Sequence, residues 1–135
     1  VKEVIMQWDA HRWPNFQPSE FMCKCGCGQV EMDPKFLDWL QYLRNTHGKA
    51  MVITSGYRCP DHPVEKKKAK PGSHTAGKAV DVAFSGGPAG YALLRSAMHC
   101  NAVGIGFKLS GPTTFLHIDM MDNRPEAPRP AIWDY

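Results

Sequence analysis

The stretch His74-Thr75-Ala76-Gly77-Lys78-Ala79-Val80-Asp81-Val82-Ala83-Phe84 reads as a loop running into a strand. From Lys78 onward it alternates. Val80, Val82 and Phe84 point one way; Ala79, Asp81 and Ala83 point the other. Thr114 to Met120 repeats the pattern: Leu116, Ile118 and Met120 share an apolar face, and His117 and Asp119 share its opposite. Val103 to Lys108 is a further strand, joined to this one through Ser110-Gly111-Pro112 as a hairpin. Ala50 to Thr54, short, apolar and bounded by Gly48 and Gly56, reads as a buried strand.

Helical signals lie between these strands. Asp33 can cap a helix that runs to His47, with Pro34 at its first position and Gly48 after its last turn. Phe36, Leu37, Leu40 and Leu43 form its apolar stripe. Pro88 to Cys100 is a second helix, offering Ala92, Leu93, Ala97 and Met98 for packing. Irregular alternation ending in a hairpin predicts an α+β fold, a small central antiparallel sheet with helices on one face. The 135 residues make one domain. Residues 1–20 read as an irregular arm, with one helical turn near Ser19-Glu20-Phe21, and residues 122–135 as a proline-rich tail. Cys59 to Gly72, with three prolines and Lys66-Lys67-Lys68, reads as an exposed loop whose lysines are a solvated face.

Hydrophobic residues are 43% and charged residues 21%, which excludes a disordered or fibrous chain. A net charge of +3 is too mild to demand nucleic acid or a membrane surface. No apolar run is long enough to span a bilayer, and the first twenty residues lack the apolar stretch of a signal peptide. A chain made in the cytoplasm, without membrane insertion, is therefore expected. The five cysteines are an odd number. Cys23, Cys25, Cys27 and Cys59 read either as reduced thiols or as a thiolate metal site. Because the usual zinc spacing leaves two or more residues between paired cysteines, the plainer reading is preferred, with Cys100 as a small buried hydrophobe.

The chemistry gathers in three segments. Asp81, His117 and Asp119 face away from apolar strand faces, and His74 ends a loop. A carboxylate or imidazole so placed must meet solvent, a charge partner or a metal, and two imidazoles with one carboxylate suit zinc with a fourth position open to water. Ser55-Gly56-Tyr57-Arg58, a sharp turn after a strand, ends in a cation able to hold a carboxylate or an oxyanion. Taken singly, each of these residues also has an ordinary structural reading. The sequence has no H-E-x-x-H, G-x-S-x-G or G-x-x-x-x-G-K-[ST] motif. Gly104-Ile105-Gly106 signifies a tightly packed strand; His11, His62 and His99 have no partner pattern, and His47 suits the end of its helix.

Together, Ser55-Gly56-Tyr57-Arg58, His74-x-x-Gly77-x-Ala79-x-Asp81, Gly104-x-Gly106 and Phe115-x-His117-x-Asp119 resemble the M15 family of zinc peptidases. The phage and bacterial branch related to D-Ala-D-Ala carboxypeptidases is the nearest likeness. Phe21-x-Cys23-x-Cys25-Gly26-Cys27-Gly28 and Cys59-Pro60-x-His62 add to it. The resemblance implies a Hedgehog- or DD-peptidase-like fold and hydrolysis of a peptide bond in the peptidoglycan stem peptide. It implies one zinc ion on His74, Asp81 and His117, with Arg58 and Ser73 on the substrate side. Thr114 stands where many members carry a glutamate base, and Phe115 where relatives carry a histidine. Asp119 is accordingly expected to act as the base or as an orienter of ligand and water. A phage lysis enzyme or wall-remodelling enzyme fits this pattern; a non-catalytic module of a phage particle with the same fold is the alternative. DNA binding through the lysine loop fits poorly.

Overall fold

A computed structural model describes residues 6–135. Its elements are α1 (Pro34–His47), β1 (Val52–Ser55), α2 (Pro63–Lys66), β2 (Ala79–Ala83), α3 (Gly87–His99), β3 (Gly104–Lys108), β4 (Phe115–Asp119) and β5 (Ala131–Asp134). One sheet runs β1-β2-β4-β3-β5. The first three pairings are antiparallel and the last, β3 with β5, is parallel. This is the expected α+β architecture, with a sheet made mixed by a fifth strand from the proline-rich tail. Among the described residues, no helix is long and apolar enough to cross a membrane.

The helix ends form as the sequence dictates. The Asp33 side chain accepts from the Lys35 amide, Pro34 opens α1, and Gly48 closes it in the left-handed region at φ 73°. Phe36, Leu37, Leu40 and Leu43 are buried and share one core with Leu93 and Ala97 of α3. Val80, Val82, Leu116 and Ile118, each at most 1% exposed, supply the sheet's half of that core. Each such side chain contributes roughly 1.5–3 kcal/mol on burial. β1 lies at the sheet edge, so Val52 is 59% exposed instead of buried as its apolar run implied.

The expected irregular arm is irregular but not loose, and its first five positions lie outside the described residues. Trp13, Phe16 and Phe21 are buried in the core, and a 3₁₀ turn spans Pro18–Phe21. Asp38 of α1 anchors the arm: it accepts from the Trp13 indole at 2.9 Å and from the Arg12 fork at 2.6 and 2.7 Å.

The two glycines of β3 clear the polar face of the sheet. Gly104 pairs with Asp119, and a Cβ at Gly104 would lie 2.3 Å from the Asp119 carboxylate oxygens. Gly106 pairs with both His117 and Trp133, and a Cβ there would lie 2.5 Å from the Trp133 indole nitrogen. Gly104→Ala is therefore expected to destabilise the protein by about 1–3 kcal/mol through overpacking. Gly87→Ala, whose Cβ meets nothing within 4 Å, should leave stability unchanged or slightly raised. Urea denaturation of the two variants beside the parent protein checks the contrast.

Candidate metal centre

Strand register lines up one row across the whole sheet. Ser55 pairs with Asp81, Asp81 with His117, His117 with Gly106, and Gly106 with Trp133. Alternation sends Asp81 and His117 to the face opposite Val80, Val82, Leu116 and Ile118. His74 joins them from the loop before β2. That loop needs Gly77, whose φ is 72° and whose Cβ would strike the Glu31 carbonyl oxygen at 2.3 Å. The Gly77 carbonyl in turn accepts from the Asp33 amide at 3.0 Å, tying the loop to the cap of α1.

The outer hydrogen bonds fix which nitrogen of each ring is free. His74 Nδ1 lies 2.7 Å from the Gly56 carbonyl oxygen, which can only accept, so Nδ1 carries the proton and Nε2 a lone pair. His117 Nε2 lies 2.7 Å from Asp119 Oδ2, an ionised carboxylate, so Nε2 donates and Nδ1 carries the lone pair. The two lone pairs meet a third acceptor: Asp81 Oδ1 is 3.4 Å from His74 Nε2 and 3.2 Å from His117 Nδ1. All three side chains are buried, and their ligand atoms lie within 4.8 Å of one another. With both rings neutral, three acceptors face one another, an arrangement that a shared cation satisfies. An imidazole–imidazole–carboxylate set with each histidine braced from behind matches zinc chemistry.

A proton on either ring would turn its inner nitrogen into a donor to Asp81, and the ionisation preferences reflect that pull. Burial opposes charge on Asp81, but hydrogen bonds to His117 and His74 hold it well below the usual carboxylate range. Burial lowers His74. For His117 burial acts the same way, yet the hydrogen bonds to Asp119 and Asp81 prevail and raise it.

Asp119, expected as base or as orienter, has every oxygen lone pair engaged. It has no exposed surface. Oδ1 accepts from Arg129 Nε at 3.0 Å and the Met121 amide at 3.2 Å; Oδ2 accepts from Arg129 Nη2 at 2.9 Å and from His117. Burial works against the anion, but these donors outweigh it and bring Asp119 to about 2. No lone pair is left to take a proton from water. Thr114, at the position of the absent glutamate, donates its hydroxyl to the Phe84 carbonyl at 2.6 Å.

Arg58 and Ser73 line the same cavity of about 410 Å³ as His74, Asp81 and His117. Arg58 Nη2 stands 3.6 Å from Asp81 Oδ2, beside the ligand set, and Nη1 stands 3.5 Å from Glu65. Glu65, 4% exposed, is the loop's organiser: it accepts from Lys68 at 2.9 Å, the Gly72 amide at 3.1 Å and the Thr75 hydroxyl at 3.0 Å. Hidden in front of a lysine run, it gave no sign of burial in the sequence. Arg129, Trp133 and Tyr135 were also missed. The Trp133 ring lies 5.0 Å from His117, the Arg129 guanidinium lies 5.0 Å from the Trp133 ring centre, and Tyr135 lines the cavity. The alternate spacing Trp133-x-Tyr135 was the available signal that both aromatics share one strand face.

The sequence model of the family described as Peptidase M15 matches residues 14–119. The chain therefore belongs to the M15 peptidases, a zinc-dependent metallopeptidase family, as its motifs implied. No curated protein and no solved structure matches it.

Glu65 generates a pH-dependent prediction. Burial alone would raise it, but its hydrogen bonds to Lys68, Gly72 and Thr75 lower it from 4.5 to about 2. A depressed carboxylate stabilises the fold above its unfolded pKa, and that contribution disappears as pH falls through the folded value. Glu65→Gln is expected to cost on the order of 2 kcal/mol at neutral pH. The gap between variant and parent should narrow from pH 4.5 down to about 2 in urea titrations run across that range.

Proposed function

We propose that the protein is a zinc peptidase of the peptidoglycan stem peptide, hydrolysing either a D-Ala-D-Ala end or an internal stem bond at the bacterial cell wall. The reading is carried by the His74–Asp81–His117 acceptor set opening into a cavity that is also lined by Arg58, Lys68, Arg124 and Arg129. So many cations around one mouth favour a substrate bearing carboxylates, as stem peptides do. Synthesis in the cytoplasm, followed by release during phage lysis or use in wall remodelling, fits the same reading.

His74 Nε2, Asp81 Oδ1 and His117 Nδ1 would hold the ion. Zinc held there supplies Lewis acidity toward a carbonyl oxygen and makes water acidic enough to attack near neutral pH. Gly56 and Asp119 hold the two rings in their ligating tautomers. Arg58 faces the cavity from beside Asp81, where its free N–H groups can bind a substrate carboxylate or the oxygen that gains charge as the peptide carbonyl is attacked. Phe115 and Trp133 give the cavity apolar walls that help exclude bulk water. Ser73, at the rim, offers a further hydrogen bond to the peptide.

One observation favours the alternative, a non-catalytic module of a phage particle. Among the described residues, Asp81 is the sole carboxylate lining the cavity, so no separate acid–base carboxylate stands there.

Turnover of murein fragments, measured beside zinc content, decides between them. The parent protein should cleave. His117→Ala should lose both turnover and the ion of this site. Arg58→Ala should keep the ion and lose at least about 100-fold in kcat/KM, as for removal of one oxyanion donor. Asp119→Asn should weaken zinc affinity by about 10–100-fold. An intact ion with no cleavage of any fragment would favour the module, and failure of this site to take up zinc would overturn the peptidase reading.

A further inference from the structure

We infer that the protein carries a second metal site, a structural tetrathiolate zinc centre formed by Cys23, Cys25, Cys27 and Cys59. The four sulfurs lie within 4.8 Å of one another. Cys25 Sγ is 3.5 Å from Cys23 Sγ and 3.4 Å from Cys59 Sγ, and all four thiols are free. A tetrahedral zinc tetrathiolate with metal–sulfur bonds of about 2.3 Å has sulfur–sulfur edges of roughly 3.8 Å. The cluster is already near that size. A soft, all-sulfur, tetrahedral donor set selects zinc or iron, and a closed set of four is the structural type.

The spacing that argued against such a site is reconciled by the loop's backbone. Cys-x-Cys-x-Cys in an extended strand would spread its sulfurs along one face. Here residues 24–27 form consecutive turns, with Gly26 at φ 98° and Gly28 at φ 73°. Neither glycine is short of room, so the left-handed backbone is what requires them. Backbone amides point at the sulfurs: Cys59 N–H donates to Cys23 Sγ at 3.3 Å, and Gln29 N–H to Cys27 Sγ at 3.4 Å. Such donors stabilise thiolates in metal sites. The fifth cysteine stands apart, buried, with its carbonyl accepting from Trp39 at 2.8 Å. The odd count thus resolves as four and one. Loading the site releases the thiol protons, up to four per ion, and leaves a Zn(Cys)₄ unit of charge −2.

The centre joins the N-terminal segment to the turn that carries Arg58. Its effect on the other centre would be to hold that turn in place, not to take part in chemistry.

Metal analysis tests it, on the whole chain purified in reductant without chelator. Two zinc ions per chain are expected in the parent protein and in Cys100→Ser. One is expected in His117→Ala, and one in the double variant Cys25→Ser/Cys27→Ser, whose altered side chains are exposed. Cobalt(II) added to metal-stripped protein should give intense thiolate-to-cobalt charge-transfer absorption in His117→Ala and in Cys100→Ser, but not in the double variant. A His117→Ala protein that holds no zinc and shows no such band would overturn the inference. So would iron in place of zinc, or a mass lowered by the hydrogens lost to a disulfide among these four cysteines. The His117→Ala measurement stands even if the double variant fails to fold.

Discussion

A carboxylate with no exposed surface must be compensated in place, because moving an unpaired charge out of water costs several kcal/mol after relaxation. Asp119 is such a group, and its compensation comes from three directions: the Arg129 fork, the His117 imidazole and the Met121 amide. Each partner imposes something on the chain. His117 is locked with Nδ1 free for the ligand set. Gly104 must lack a side chain, because the carboxylate occupies the space where one would be. Arg129 must return from the far end of the sequence, and the chain that brings it continues directly into β5. The parallel pairing of β5 with β3 then sets Trp133 opposite Gly106 and over His117.

The candidate metal site was legible in part because two of its residues are written in period two. Val80, Val82, Leu116 and Ile118 announce which face is buried. Asp81 and His117 must then occupy the other, and the antiparallel register that pairs them follows from the same alternation. His74 lies outside both strands, and the resemblance of its motif to the M15 peptidases, not a strand period, made it a partner. Local rules also sufficed for α1, whose Asp33 cap, Pro34 start and Gly48 stop depend on nothing beyond the helix itself.

What stayed hidden depends on contacts between distant segments. Trp13 and Phe16 follow no helical or strand period, so the sequence cannot say that they enter the core beside α1. The prolines around Arg129 mask a strand whose partner, β3, lies more than twenty residues upstream. Asp119 was visible as a titratable group on the site face, but the Arg129 fork that occupies its oxygens was not. The cysteine triplet failed a spacing rule drawn from other loops. The consecutive turns that gather its sulfurs are a property of Gly26 and Gly28, not of the interval between cysteines.

Residues 56–59 connect the two sulfur- and nitrogen-rich clusters, and this has a mechanical consequence. The Gly56 carbonyl holds His74, Arg58 stands beside Asp81, and Cys59 belongs to the thiol cluster. The segment has little freedom on its inner side, since a Cβ at Gly56 would meet Phe21 Cα at 2.7 Å and the Tyr57 amide is bonded to the Phe21 carbonyl at 2.9 Å. A shift of this short run would move a histidine brace and an arginine together, because only Tyr57, itself buried and tied to Phe21, separates them. Phe21 restricts Gly56 and Tyr57 from inside, and an ion on the proposed thiolate centre would restrict Cys59 from outside. That is the condition under which a lone pair on His74 and a guanidinium on Arg58 can be held at a useful separation by residues that never touch a substrate.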